Sequence, residues 1–300
     1  MSWSEVATAF CVSWDTVCDS VDLAVQWGLQ HRSLTDIRAI GVDEVLWHRG
    51  HKYLTVVYQI DEGCKRLLWV GKDRTTETIT AFFTWFGAER SQLLNFVCSD
   101  MWRPYLDAVK AFASSAVNII DRFHVMQRFS KAVDEVRAKE AKKLGKKTPQ
   151  GKVLKGTRWC LLKRPENLTE KQDAKLKDLL KMNLAAVRAY LLKEDFQLLW
   201  QYVSPAWAGK FIDRWTTRAM RSRLEPMKKV AKTIRNHRDL ILNWFVAKGQ
   251  LSSGVVEGLN NKLKVITRRS YGFRTFRATE IALYHSLGDL PEPKFAHRFS

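Results

Sequence analysis

Residues Ile40-Gly41-Val42-Asp43-Glu44-Val45-Leu46-Trp47 place two acids inside a run of branched and aromatic side chains. Residues of this type favour a strand, because they pack well on a pleated, half-buried surface. Working outward, Tyr53 to Ile60 and Arg66 to Val70 have the same texture. Arg49-Gly50-His51 and Asp61-Glu62-Gly63 supply turn residues between them, so three hairpin-connected strands are predicted. Ile79, Phe82, Phe83 and Phe86 then fall at i, i+3, i+4 and i+7, one face of a helix. Leu94 to Cys98 reads as a fourth strand, Trp102 to Phe112 as a helix and Ala116 to Ile120 as a fifth strand.

Three joined strands followed by helix, strand, helix, strand is a mixed α/β order, that of ribonuclease-H-like sheets. No strand is read after Asp121. Arg128 to Arg164 holds 13 Lys and Arg against 3 acids, with Lys142, Lys143, Lys146 and Lys147 around Gly145 reading as a solvated loop. Lys171 to Lys248 reads as helices broken near Pro205 and Pro226, and a last helix runs from Ser253 to about Arg269. The expected division is a helix-turn-helix-like segment at 1–36, the first part of an α/β core at 37–125, a basic all-helical insertion at 126–250, and the end of the core at 251–300. The first segment carries Val6, Phe10, Trp14, Val17 and Val21 at helical steps, with Ser4 and Ser13 as candidate N-caps. Its acids, Glu5, Asp15, Asp19 and Asp22, suit phosphate contact poorly. DNA contact and a packing or dimerising role both remain open for it.

Three carboxylates sit where this fold could bring chemistry together. Asp43 lies inside the first strand, Asp100 just beyond the fourth, and Glu257 in the first turn of the last helix. First and fourth strands are neighbours in such a sheet, and two juxtaposed carboxylates repel unless a cation lies between them. Hard oxygen donors select Mg²⁺ or Mn²⁺. Two such ions about 4 Å apart activate an attacking oxygen and stabilise a leaving one. Each acid also has a plainer reading: a solvent-facing strand residue, an N-cap for a helix opening at Met101, or a charge complementing a helix dipole. Alternation sends Glu44 to the opposite face from Asp43. His124, in Asp121-Arg122-Phe123-His124, reads either as a metal ligand or proton shuttle, or as a structural histidine beside a capping aspartate.

On the last helix Val255, Leu259, Leu263 and Ile266 form an apolar stripe, while Glu257, Asn261, Lys264 and Arg268 share another face. Gly258 to Thr279 holds six Lys or Arg and no acid, interleaved with Tyr271, Phe273 and Phe276. Asn261, Lys264, Arg268, Arg269 and Arg274, with Lys142, Lys143, Lys146 and Lys147, are the candidate contacts to a DNA backbone; a solvated basic face is the alternative. The whole chain of 300 residues carries a formal charge of +19 and a pI near 9.8. That excess points to nucleic acid first and a membrane surface second. No segment approaches the roughly 20 apolar residues of a membrane span, and no signal-peptide pattern opens the chain. Five widely spaced cysteines without a CxxC pair argue against a disulfide framework or a zinc site and fit the reducing cytoplasm.

The blocks Gly41-Val42-Asp43-Glu44, Cys98-Ser99-Asp100-Met101-Trp102-Arg103-Pro104-Tyr105, Asp121-Arg122-Phe123-His124-Val125, Thr157-Arg158-Trp159-Cys160-Leu161-Leu162-Lys163 and Ser253-Gly254-Val255-Val256-Glu257-Gly258-Leu259-Asn260-Asn261-Lys262-Leu263-Lys264, followed by Arg268-Arg269-Ser270-Tyr271-Gly272-Phe273-Arg274, occur in one order. Together they resemble the ISL-three family of insertion-sequence transposases, from about Ser4 to Pro293. The resemblance implies a ribonuclease-H-like core with a DDE triad on Asp43, Asp100 and Glu257. It implies two Mg²⁺ (or Mn²⁺) ions as cofactors, double-stranded DNA at transposon ends and target as partner, and a homo-oligomer during synapsis. Family members usually begin with a zinc-binding module that this sequence lacks, so the chain reads as a shortened copy. Three functions are therefore carried forward: a transposase, an inactive DNA-binding or inhibitory derivative, and a generic nuclease of the same fold.

Overall fold

The structure is a computed structural model that describes residues 1–48, 50, 52–145, 148–247, 253–270 and 272–293. In chain order its elements are α1 (Trp3–Ala9), α2 (Trp14–His31), β1 (Ala39–His48), β2 (Lys52–Gln59), β3 (Arg66–Lys72), α3 (Thr76–Phe86), α4 (Ala88–Gln92), β4 (Phe96–Ser99), α5 (Arg103–Phe112) and β5 (Val117–Ile120). There follow α6 (Arg122–Leu144), α7 (Pro149–Leu154), α8 (Arg158–Leu162), α9 (Glu170–Leu180), α10 (Ala185–Gln197), α11 (Pro205–Met220), α12 (Glu225–Asn236), α13 (Arg238–Val246), α14 (Ser253–Arg269) and α15 (Phe276–Leu287). The chain divides into two compact units, one of residues 1–119 with 251–300 and one of residues 120–250.

The first unit is an α/β layer built on a mixed five-stranded sheet of order β3-β2-β1-β4-β5. β1 pairs antiparallel with β2, placing Asp43 opposite Val56, and parallel with β4, placing Gly41 opposite Cys98. Alternation divides the side chains between two cores. Val45, Leu54, Val56, Tyr58 and Leu67 meet Val256, Leu259 and Leu263 of α14 and Ile281, Leu283 and Tyr284 of α15. Ile40, Val42, Val57 and Val97 meet the phenylalanines of α3 and Tyr105 and Val109 of α5. A sheet covered by helices on both faces reads as near-continuous apolar runs, which is the pattern of β1 and β2.

α14 approaches β1 closely at Gly41, where an added Cβ would lie 2.5 Å from Cγ2 of Val256. Gly41→Ala is expected to cost about 1–3 kcal/mol through overpacking against a branched side chain that cannot swing away. A fall in thermal midpoint with unchanged far-UV dichroism checks it.

The N-terminal pair differs from expectation in its first cap. Ser2, not Ser4, caps α1 in a reciprocal capping box with Glu5, while Ser13 caps α2 as expected. Val25 is buried, and Trp3, Val21 and Leu29 pack against the sheet's core. Arg32 donates to the carbonyl of Leu68 at 3.0 Å and lies over the rings of Trp85 and Tyr284. These contacts pack the segment onto the first unit.

The second unit is helical throughout the described residues. Phe129 of α6, Phe196 of α10 and Trp215 of α11 form its aromatic centre, with ring centroids 4.5 to 5.2 Å apart. Glu140 of α6 accepts from the backbone amides of Ala185 and Ala186, capping α10 with a charge that its dipole favours. α11 opens at Pro205 and α12 carries Pro226 in its first turn, so both helix breaks fall where the prolines demanded them. One expectation fails. Lys142 and Lys143 do not lie in a loop; they form the last turn of α6, which ends where Gly145 adopts φ 71°. Cations in a last helical turn complement its dipole, and a C-terminal glycine in the left-handed region stops the helix only after them. Lys146 and Lys147 lie outside the described residues.

Candidate functional site

Extending the parallel register two residues beyond Gly41 and Cys98 leads to Asp43, in the middle of β1, and Asp100, just past the end of β4. Both are nearly covered, each 8% exposed. Their oxygens are fixed by protein donors. Asp43 Oδ1 accepts from the Glu44 amide at 2.8 Å, and Oδ2 accepts from Nδ2 of Asn260 at 2.6 Å. Asp100 Oδ1 accepts from the Trp102 amide at 2.6 Å, and Oδ2 accepts from Arg74 at 3.0 Å. An ionised carboxylate has about four lone-pair sites, so an oxygen that accepts a hydrogen bond can still ligate a cation. The donor set is hard and anionic, which suits a divalent ion. Among the described residues, however, no group of three or more His, Cys, Asp or Glu is gathered into a metal cluster. Glu257 lies on α14 with its side chain exposed, three residues before Asn260 and hence on a neighbouring part of the same helix face.

Asn260 is a residue that sequence reading missed. It is 6% exposed, and its Oδ1 accepts from the hydroxyl of Tyr58 at 2.8 Å. Burial, and secondarily the charge of Asp43, push the Tyr58 hydroxyl well above its ordinary pKa, so it stays a donor. A donor on Oδ1 settles the amide orientation and points Nδ2 at Asp43. The signal was present in the sequence: Asn260 falls four residues after Val256 and three before Leu263, inside the buried stripe. A polar residue on an apolar face needs a partner.

Glu44 and Arg74 were also passed over. Alternation does send Glu44 to the α5 side, where the Tyr105 hydroxyl donates to it at 3.4 Å. Arg74 nevertheless reaches both acids, pairing with Glu44 at 2.8 Å and with Asp100 at 3.0 Å. Its guanidinium lies 4.5 Å from the ring centre of Trp102, which in turn meets Tyr105 edge-on. Asp73, with φ 69°, turns the chain just before Arg74, and Thr75 caps α3 just after it. Nothing in a Lys72-Asp73-Arg74 turn announces this, because the partners are 26 and 30 positions away.

At the start of the helical unit Asp121 caps α6 by accepting from the Phe123 amide at 2.6 Å, with Nε2 of His124 at 3.8 Å. Asp100 is not itself an N-cap: α5 opens at Arg103, with Trp102 at the cap position.

Asn261, Lys264, Arg268, Arg269 and Arg274 are all exposed. Lys264 and Arg268 line a groove of about 420 Å³ with Leu46, Thr267 and Gly272. Tyr271 lies outside the described residues. In the helical unit Lys142 and Lys143 are exposed. A second groove there, of about 540 Å³, is lined by Arg188, Arg218, Arg221 and Arg223 over Leu192, none of them singled out from the sequence. Asp195 pairs with Arg218. Among the described residues, Arg188, Arg221 and Arg223 have no ion-pair partner. Concentrated, unneutralised guanidinium groups suit an oxyanion such as phosphate.

The remaining expectations concern the chain as a whole. All five cysteines are free. No helix among the described residues is long and apolar enough to cross a membrane. A transposase family model matches residues 40–283, a span that contains both aspartates, Arg74, Glu257 and Asn260. The chain is 32% identical over 270 residues to the transposase for insertion sequence element IS1001 of Bordetella parapertussis, covering 90% of this chain and 66% of that protein. It is 32% identical over 309 residues to the transposase for insertion sequence element IS1557 of Mycobacterium tuberculosis, covering 93% of this chain and 68% of that protein. It thus spans about two thirds of the length of these relatives. With the match running through the sheet, the helical unit and α14, the chain belongs to the ISL3 family of transposases.

Proposed function

We propose that this chain is a DDE transposase with a ribonuclease-H-like core, cutting DNA at the ends of its element and joining the freed ends to target DNA. What supports the reading is the parallel register of β1 and β4, which runs to Gly41 and Cys98, two residues short of Asp43 and Asp100, together with a protein donor on each oxygen of the two carboxylates. Asp43 and Asp100 would hold divalent ions, two of them Mg²⁺ or Mn²⁺, with Glu257 completing the set. Bound there, the ions activate the attacking oxygen and stabilise the leaving one.

The chain's own residues prepare that chemistry. Asn260, fixed by Tyr58, sets the rotamer of Asp43, and the Trp102 amide sets that of Asp100. In the first step a water oxygen bonds to phosphorus at the element's end, the P–O3′ bond breaks, and the 3′-oxygen takes up a proton. In the second, that 3′-hydroxyl loses its proton as its oxygen attacks a target phosphodiester, the target's P–O3′ bond breaks, and the freed target 3′-oxygen takes up a proton. Each step is a phosphoryl exchange, so no serine, tyrosine or cysteine nucleophile is assigned. The helical unit reads as an insertion between β5 and α14 that grips duplex DNA, and synapsis of two ends makes the working form a homo-oligomer.

The test is incubation of the purified chain with labelled duplexes carrying its own element's ends, with Mn²⁺ or with EDTA. Metal-dependent nicking at the end, and joining to a second duplex, is the expected result. Binding without nicking under every metal condition would overturn the enzymatic reading.

DNA contact by the arginine groove has its own measure. Each neutralised phosphate contributes about 0.9 to the slope of log K against log salt. Replacing Arg188, Arg221 and Arg223 together with Gln is expected to flatten that slope by about 2–3 while leaving preference among sequences unchanged. An unaltered slope would remove the groove from the DNA path.

A further inference from the structure

The acidic shelf has a feature that the proposed reaction does not use. Glu44 of β1 and Asp100, just past β4, both come within reach of Arg74, and two carboxylates drawn to one place repel each other. Arg74 answers that repulsion from within the fold. Its two terminal nitrogens divide between Glu44 and Asp100, its flat face rests on Trp102, and its side chain is only 29% exposed. The ring of contacts closes on itself: Trp102 donates its amide to Asp100 and meets Tyr105, whose hydroxyl donates to Glu44. The fork of an arginine is always charged and cannot be switched off by a proton. Its Nε is buried without a hydrogen-bond partner, so the guanidinium is held by the two carboxylates and the indole face.

We propose that Arg74 is a positioning residue, a built-in counter-cation that holds Asp100 beside Glu44 and competes with a divalent ion for Oδ2 of Asp100. Glu44 is the second seat of the fork. When an ion takes Asp100, Arg74 keeps its bond to Glu44 and stays folded against Trp102. Metal affinity is thereby set below what the carboxylates would give without Arg74. This rests on the metal-dependent reading above.

The experiment is Mn²⁺ binding to the whole chain without DNA, by titration calorimetry and by the loss of the free-ion magnetic resonance signal. Arg74→Gln is expected to bind Mn²⁺ roughly two- to fivefold more tightly, the size of one part-exposed ion pair. Arg74→Lys keeps the charge without the fork and should fall between that variant and wild type. Glu44→Gln gives the fork only Asp100 to hold and should weaken binding. A purely structural role predicts weaker binding in every variant, so a rise on removing Arg74 has no such explanation. Mn²⁺ affinity that is unchanged or lower in Arg74→Gln, with its melting curve still cooperative, would overturn the role of Arg74 alone. If Arg74→Gln does not fold, the opposite displacement of Glu44→Gln decides: tighter or unchanged binding there overturns the proposal. Binding by wild type that survives Asp43→Asn combined with Asp100→Asn would overturn the metal reading and this inference with it.

Discussion

Asp43→Asn and Asp100→Asn are each expected to abolish end nicking, with a loss on the order of 10²–10³ or more, while leaving DNA affinity intact or raised. The size follows from what is removed. An amide in place of either carboxylate takes one negative charge from the shelf and one hard oxygen donor from a divalent ion, and electrostatic contacts of this kind at a reacting centre are worth about 3–4 kcal/mol each. DNA affinity moves the other way because the phosphate backbone no longer meets that charge. The two variants also differ in a useful manner. Asn at 43 meets Asn260 and the Glu44 amide in place of a carboxylate, whereas Asn at 100 leaves Arg74 with Glu44 alone. Glu257→Gln is the companion, since Glu257 is exposed on α14 and its loss should cost activity with no loss of stability. Timed single-turnover nicking, normalised to bound DNA, reads all three. Near-wild-type cutting by Asp100→Asn would remove Asp100 from the reaction.

Trp215→Ala is expected to be the most destabilising single change in the helical unit, about 3–5 kcal/mol. Trp215 is 1% exposed, packs its ring against Phe129 and Phe196, and donates Nε1 to the carbonyl of Leu192 at 3.0 Å. Removing the indole opens a cavity at the meeting of α6, α10 and α11 and leaves the Leu192 carbonyl without that donor. Trp215→Phe separates the two effects. It keeps most of the ring contact and loses the hydrogen bond, so a cost near 1 kcal/mol is expected. Urea unfolding followed by far-UV dichroism measures both. A Trp215→Ala midpoint within error of wild type would mean that the aromatic centre is not what holds these helices together.

Much of this molecule was legible in the one-dimensional chain because the relevant physics is local. Branched and aromatic runs marked all five strands, phenylalanines at helical spacing marked α3, and the two prolines marked the openings of α11 and α12. The order of those elements was enough to place β1 beside β4. Even the Lys142-Lys143 error was local, a helix end taken for a loop before the left-handed Gly145 had stopped it. What sequence could not decide were the partners of polar side chains brought together over long separations. Asn260 reaches Asp43 across 217 positions and Tyr58 across 202, and Arg74 reaches Asp100 across 26. Hydrophobic periodicity is a property of a segment and can be read from it. A buried hydrogen bond is a property of two segments, and the requirement that each buried donor and acceptor be satisfied takes effect only once packing has removed water from both.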